Sequence, residues 1–155
     1  MFSINCRPVA AQYGVRHMRN LFVVFLATIA VAGCDYLTDT VTRHYATLED
    51  ARRDRLFEKG WLPDVLPPSA QEIETKNNLD LSTSTGSFHF NSSDSAALYA
   101  QLDAGAPTES RFADWPSLVR SYEGKGYSAW SYREIKYTWA FFCTPENDSC
   151  DYYLW

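Results

Sequence analysis

The apolar positions of the chain fall into two strong patterns and several weaker ones. Residues 21–32 form one uncharged run rich in Leu, Phe, Val, Ile and Ala. A membrane-spanning helix needs about 20 such residues, so this run is short for a span but has the length of an export signal's apolar core. At the other end, Ile135, Tyr137, Trp139, Phe141 and Cys143 alternate with Lys136, Thr138 and Ala140, as one apolar face of a strand would. After the turn-forming residues 144–149, Cys150, Tyr152 and Leu154 alternate again. An antiparallel hairpin that pairs Cys143 with Cys150 sets Phe141 opposite Tyr152 and Trp139 opposite Leu154 on a single face. The apolar phase slips between Trp130-Tyr132 and Ile135, which implies a bulge or turn near Arg133-Glu134.

The segment between these patterns is read from caps and breakers. Thr47, with Asp50 at the third position, predicts a helix start; Leu48, Ala51 and Leu56 form its apolar side, Glu49 and Arg53 are spaced to pair, and Gly60 suits its stop. Pro63, Pro67 and Pro68 cannot continue that helix. Ser69-Ala70-Gln71-Glu72 predicts a capping box and a short helical turn. Residues 73–81 and 86–91 predict two strands joined by a Ser/Thr-rich turn. Asn91-Ser92-Ser93-Asp94 predicts a cap for a second helix reaching Leu102, with Ala97, Leu98 and Leu102 inward, and residues 116–122 predict a third. Residues 34–45 show no apolar period and predict a tether. The expected fold over 46–155 is a single α+β domain: a two-layer antiparallel sheet of about four strands with helices on one face and a C-terminal disulfide-closed hairpin.

Charge sharpens the picture at the N-terminus. The formal net charge is −5, and residues 1–33 contain Arg7, Arg16 and Arg19 but no acid. The remainder therefore holds 11 of the 14 Lys and Arg against all 19 Asp and Glu, a formal charge of −8. That balance argues against nucleic acid, which is bound through clustered cations, and against headgroup attraction as the source of membrane affinity. Met18-Arg19-Asn20 gives a short positive segment, the apolar run follows, and Val31-Ala32-Gly33-Cys34 closes it. This order resembles the signal and lipobox of bacterial prolipoproteins. The resemblance implies that residues 1–33 are a cleaved leader, with Met18 as the true start, and that Cys34 becomes the lipid-bearing first residue. It further implies a protein held in the cell envelope through the lipid and facing the periplasm, with two or three acyl chains, each contributing about 0.8 kcal/mol per buried CH₂. Asp35 resembles the enterobacterial signal for retention in the inner membrane, whereas other bacteria follow other rules, which leaves inner and outer membrane both open.

The remaining candidate chemistry is sparse. Cys6 lies in the leader, so Cys143 and Cys150 are an even pair in an exported chain, and their compartment and spacing predict a structural disulfide. No Cys or second His stands at ligand spacing from His44 or His89, so no metal is expected, and no motif calls for a cofactor. Glu72, Glu74, Glu123 and Glu134 are the carboxylates that a glycan-cleaving pair could draw on, but sequence spacing does not show that any two face each other, and exposed carboxylates are the default. The serines form neither a Gly-x-Ser-x-Gly elbow nor a Ser-x-x-Lys motif, so no catalytic residue is assigned. Phe142, Tyr153 and Trp155 alternate out of phase with the hairpin's core residues, and aromatics on such a face suit a protein contact. Ala46-Thr47-Leu48-Glu49-Asp50-Ala51, Gly60-Trp61-Leu62-Pro63 and Leu66-Pro67 resemble segments of small proteobacterial lipoproteins without assigned activity, which implies no chemistry. The expected function is that of a non-enzymatic, lipid-anchored lipoprotein binding another envelope protein. The alternatives are a peptidoglycan-directed binding module or hydrolase, and an immunity-type lipoprotein directed against a secreted toxin.

Overall fold

A computed structural model describes residues 39–155 apart from Pro145. The expected leader, Cys34 and the first part of the expected tether lie outside these residues. Eleven short elements follow Asp39. They are β1 (Thr40–Thr47), α1 (Leu48–Arg53), β2 (Gln71–Asn78), β3 (Thr83–His89), a 3₁₀ turn (Ser92–Asp94), α2 (Ser95–Tyr99), β4 (Asp103–Ala104), α3 (Trp115–Glu123), β5 (Ser128–Arg133), β6 (Thr138–Thr144) and β7 (Ser149–Leu154). All strands join one antiparallel sheet in the order β1-β2-β3-β7-β6-β5-β4.

This architecture corrects the expected α+β fold. The sheet has seven strands instead of about four, the helices are short and few, and at β6 and β7 both faces are covered. On the first face, α1, the proline-containing segment 61–70 and α2 bring Leu48, Leu62, Leu66 and Leu98 onto Ile73, Phe88, Trp139, Phe141, Tyr152 and Leu154. On the second, α3 and the loop before it lay Trp115, Phe112 and Tyr122 over Ala140, Phe142, Tyr153 and Trp155. Burial on both sides explains why β6 carries five consecutive fully buried residues, Trp139–Cys143, where a strand with one wet face would alternate.

The C-terminal hairpin has the expected register. Trp139 faces Leu154, Phe141 faces Tyr152, and Cys143 faces Cys150. The two cysteines form a disulfide with their Cα atoms 4.1 Å apart. The hairpin lies inside the sheet, flanked by β3 and β5. Ile135 is not in its strand: it sits fully exposed in the turn between β5 and β6, and the phase slip marks that turn.

Elsewhere tertiary contacts override the local pattern. Strand β1 starts at Thr40, inside the span expected to be tether, and pairs with β2 along its length. Thr47 does cap α1, its Oγ1 accepting from the Asp50 amide at 3.2 Å, but the helix ends at Arg53, which pairs with Asp50 at 3.1 Å and not with Glu49. The helical turn expected at 69–72 does not form: Gln71 and Glu72 already belong to β2. Ser69 donates to Asp94 Oδ2 at 2.6 Å and accepts from the Asn91 amide at 3.0 Å, so its hydroxyl ties two loops together instead of capping a helix. Glu72, at φ 49°, forms the bulge that shifts the β2–β3 register. Beyond that bulge, where β3 passes Thr75 and Tyr152, Gly86 is required by space, since a Cβ there would overlap the Glu74 carbonyl oxygen and the Tyr152 ring. Of the residues expected inward on the second helix, Leu98 and Leu102 are buried and Ala97 is exposed.

Candidate functional site

Directly opposed residues in an antiparallel ladder share a face. On the second face of the sheet one row therefore runs His44, Glu74, Ser87, Asp151, Phe142, and the next runs Thr42, Lys76, Thr85, Tyr153, Ala140. The cover of α3 and its leading loop reaches β7 at Tyr153 and stops. The same face of β1, β2 and β3 is left open, and its side chains are hydroxyls, an amide and charged groups. The edge of the cover makes the wall of two hollows. The larger, of about 630 Å³, lies between Thr40, Lys76, Asn78, Thr83 and Thr85 on the sheet and Arg111 and Phe112 on the wall. The smaller, of about 220 Å³, is bounded by Glu74, Ser87 and Asp151 with Tyr122.

The wall is held by stacked aromatics. Tyr122 stacks on Phe142 with ring centres 4.1 Å apart, and Trp115 meets Tyr153 and Trp155 edge-on at 5.6 and 5.2 Å. Trp115 Nε1 donates to the Pro107 carbonyl at 2.8 Å, which satisfies its buried polar atom. Tyr122 donates from its hydroxyl to Asp151 Oδ2 at 2.8 Å and lies 3.2 Å from the Tyr153 hydroxyl. Burial, then these hydrogen bonds and the nearby Asp151 charge, push the Tyr122 phenol far above its ordinary value. This phenol stays protonated, and a protonated phenol at a groove edge is a donor, not a base. At the outer edge of the same row, His44 Nε2 lies 3.3 Å from Glu74 Oε2, with both side chains well solvated.

The residues expected to contact a partner are placed differently from that expectation. Phe142 is fully buried beneath Trp115 and Tyr122, while Tyr153 and Trp155 are half-buried against Phe112 and Trp115. Their face is the second core of the domain and not an exposed aromatic surface. The carboxylates do not converge either. Glu74 lies on the open face, Glu72 in the bulge, Glu123 at the end of α3 and Glu134 in the turn between β5 and β6. His89 ends β3, exposed and opposite Gln71 and Ser149. Among the described residues no group of three His, Cys, Asp or Glu could hold a metal ion, and no helix is long and apolar enough to cross a membrane. The residues missed from sequence are Lys76, Thr85, Arg111, Tyr122 and Asp151. Alternation along β2 and β3 is the signal that could have placed the first two.

The fold and this groove define an all-antiparallel domain that presents half of one sheet face to solvent. Residues 39–89, from just before β1 to the end of β3, are similar to the YbbD head domain family, a likeness that suggests a bacterial protein. The likeness thus covers the three strands that carry the open face. No curated protein and no solved structure matches the chain.

Proposed function

We propose that this chain is a lipid-anchored envelope lipoprotein, tethered through Cys34 and facing the periplasm, whose domain binds another envelope protein through the open face of β1–β3. The anchor rests on the order of charge, apolar run and lipobox at residues 18–34. The binding surface rests on one observation: the aromatic cover stops at β7 and leaves a groove of about 630 Å³ whose floor is polar. A groove with hydroxyl and amide groups on a rigid floor and Phe112 on the wall suits a peptide segment, with its backbone hydrogen-bonded to the floor and an apolar side chain against the ring. The non-enzymatic reading is supported by the solvated state of the His44–Glu74 pair, because general acid–base groups are normally held in desolvated, perturbing surroundings.

A photo-crosslinking amino acid introduced in living cells at Thr42 or Thr85, with Lys125 as control, tests the proposal. One envelope protein crosslinked from both groove positions and not from Lys125 is the expected result. Muropeptides recovered in its place would move the assignment to the glycan-directed alternative, which one arrangement favours: Glu74 and Asp151 stand on strands separated only by β3 and both line the smaller hollow. In that case Glu74→Gln and Asp151→Asn should each abolish recovery.

A further inference from the structure

The antiparallel order gathers particular chain segments at one end of the sheet. The pairings Thr40 with Asn78, Asn78 with Thr83, Ser84 with Leu154, Trp139 with Leu154 and Arg133 with Thr138 set the starts of β1, β3 and β6 beside the ends of β2, β5 and β7. Three large hydrophobic side chains stand exposed among the described residues: Leu79 at 53 %, Leu81 at 62 % and Ile135 at 107 %. All three are in the two turns at this end, one after β2 and one after β5. Isolated exposed aliphatics are ordinary on a protein surface, but a set confined to one end is not.

Cations stand at this end as well. Arg133 closes β5 and Lys136 lies in the turn that follows, beside Glu134. Arg111 donates to the Leu81 carbonyl at 3.3 Å and lines one hollow with Lys136, Tyr137 and Trp155. Asp39 and Asp80 lie near this end as well. A hydrogen bond with Asp39, then its negative charge, raises the Asp80 carboxyl above its ordinary value. In a chain that is acidic overall, this end combines aliphatic side chains, Tyr and Trp rings and several cations. That is the composition of a surface which meets the headgroup region of a bilayer.

The chain also enters the domain here. Cys34 and Asp39 are five residues apart, and five residues fully extended span at most about 18 Å.

We propose that this end of the sheet docks on the bilayer, with Leu79, Leu81 and Ile135 entering the boundary between headgroups and acyl chains and Arg133 and Lys136 meeting anionic headgroups. The proposal rests on the lipid anchor at Cys34. The anchor supplies the affinity that a small patch lacks, and the patch fixes which way the anchored domain stands. The open face of β1–β3 would then rise from the membrane from its Thr40 end, with the His44–Glu74 row further from the lipid than Thr40 and Asn78.

The test uses the protein purified from envelopes, with the mass of its Cys34 peptide measured to establish the lipid. It is then reconstituted in vesicles of phosphatidylethanolamine and phosphatidylglycerol for amide hydrogen exchange. A Leu81→Asp/Ile135→Asp form, altered only at exposed positions, is treated identically. Amides of 79–82 and 134–137 should exchange about tenfold more slowly in the unaltered protein than in the double variant, with residues 146–149 unchanged. Equal exchange in the two proteins, with lipid present on Cys34, would overturn the docking and leave the anchor standing. A Cys34 peptide without lipid mass would overturn the anchor and the docking with it.

Discussion

At the scale of single residues, three tyrosines are held as neutral phenols by burial, two of them with a carboxylate partner as well. Tyr45 donates to Asp54 Oδ2 at 2.7 Å; its burial, then that hydrogen bond, push it up to about 12. Tyr122 is raised by burial and by its bonds with Tyr153 and Asp151. Tyr152, fully buried 3.1 Å from the Ser84 hydroxyl, is raised by burial, which the Ser84 bond partly offsets. In an unfolded chain a tyrosine titrates near 10. Between about pH 10 and the folded values, the unfolded state has lost these protons and the native state still holds them, so stability falls as pH rises. Below about pH 10 the contribution is fully present. Urea midpoints should therefore be level between pH 7 and 9 and drop steeply above 10. Tyr122→Phe, less stable at pH 8 because Asp151 loses its donor, should show a shallower drop, so that the two proteins converge by pH 11. Parallel curves for the two proteins would mean that Tyr122 does not contribute.

At the scale of elements, the bridge between Cys143 and Cys150 closes a short loop, with a sequence separation of 7. Loop-closure entropy gives such a bridge about 2–3 kcal/mol. Because the hairpin lies inside the sheet, its loosening should be felt on both sides. Cys143→Ala/Cys150→Ala is expected to lower the unfolding free energy by about that amount while keeping a single transition, as measured by denaturant melts followed by tryptophan fluorescence. This hairpin was also the most legible element in the sequence, since period-two aromatics and an even cysteine pair point to the same register. The Thr47 cap was legible for a similar reason, being a local bond to Asp50. Strand β1 was not legible: Arg43 occupies the phase that faces the first core, and at the sheet edge only Tyr45 is buried. Strand β3 was half hidden because Thr83 and Ser84 look like turn residues. Ser84 is in fact buried, donating to Asn77 Oδ1 at 2.6 Å in a set that includes Tyr152. Such a set satisfies buried polar groups only after β2, β3 and β7 have come together, so no window of local sequence can announce it. The open face was missed because it is defined by where α3 stops, a property of packing that the α3 sequence does not encode by itself.

At the scale of the whole molecule, the segment resembling the YbbD head domain ends at His89, the last residue of β3. It holds β1, α1, β2 and β3, and every residue of β3 from Ser84 to His89 is laddered to β7 at the far end of the chain. Without β6 and β7, Phe88 would lose its edge-to-face contact with Phe141, and Ser84 would lose its contact with Tyr152. The segment would then expose a strand edge along with Ile73 and Phe88, both fully buried in the intact domain. Small chains of this length bury too little apolar surface to tolerate such a loss. Residues 39–89 expressed alone should therefore melt without a cooperative transition and bind a hydrophobic dye, whereas residues 38–155 should melt in a single step. A sigmoidal melt of the short segment, with dispersed amide resonances, would show that the three-strand unit folds independently and that the β3–β7 ladder joins two modules. The distinction bears on function, because only the intact sheet carries both the floor of the groove, on β1 to β3, and its wall, which rests on β6 and β7 through Phe142, Tyr153 and Trp155. A partner that recognises the groove must therefore lose its site when the two halves part, even where each half keeps some structure of its own.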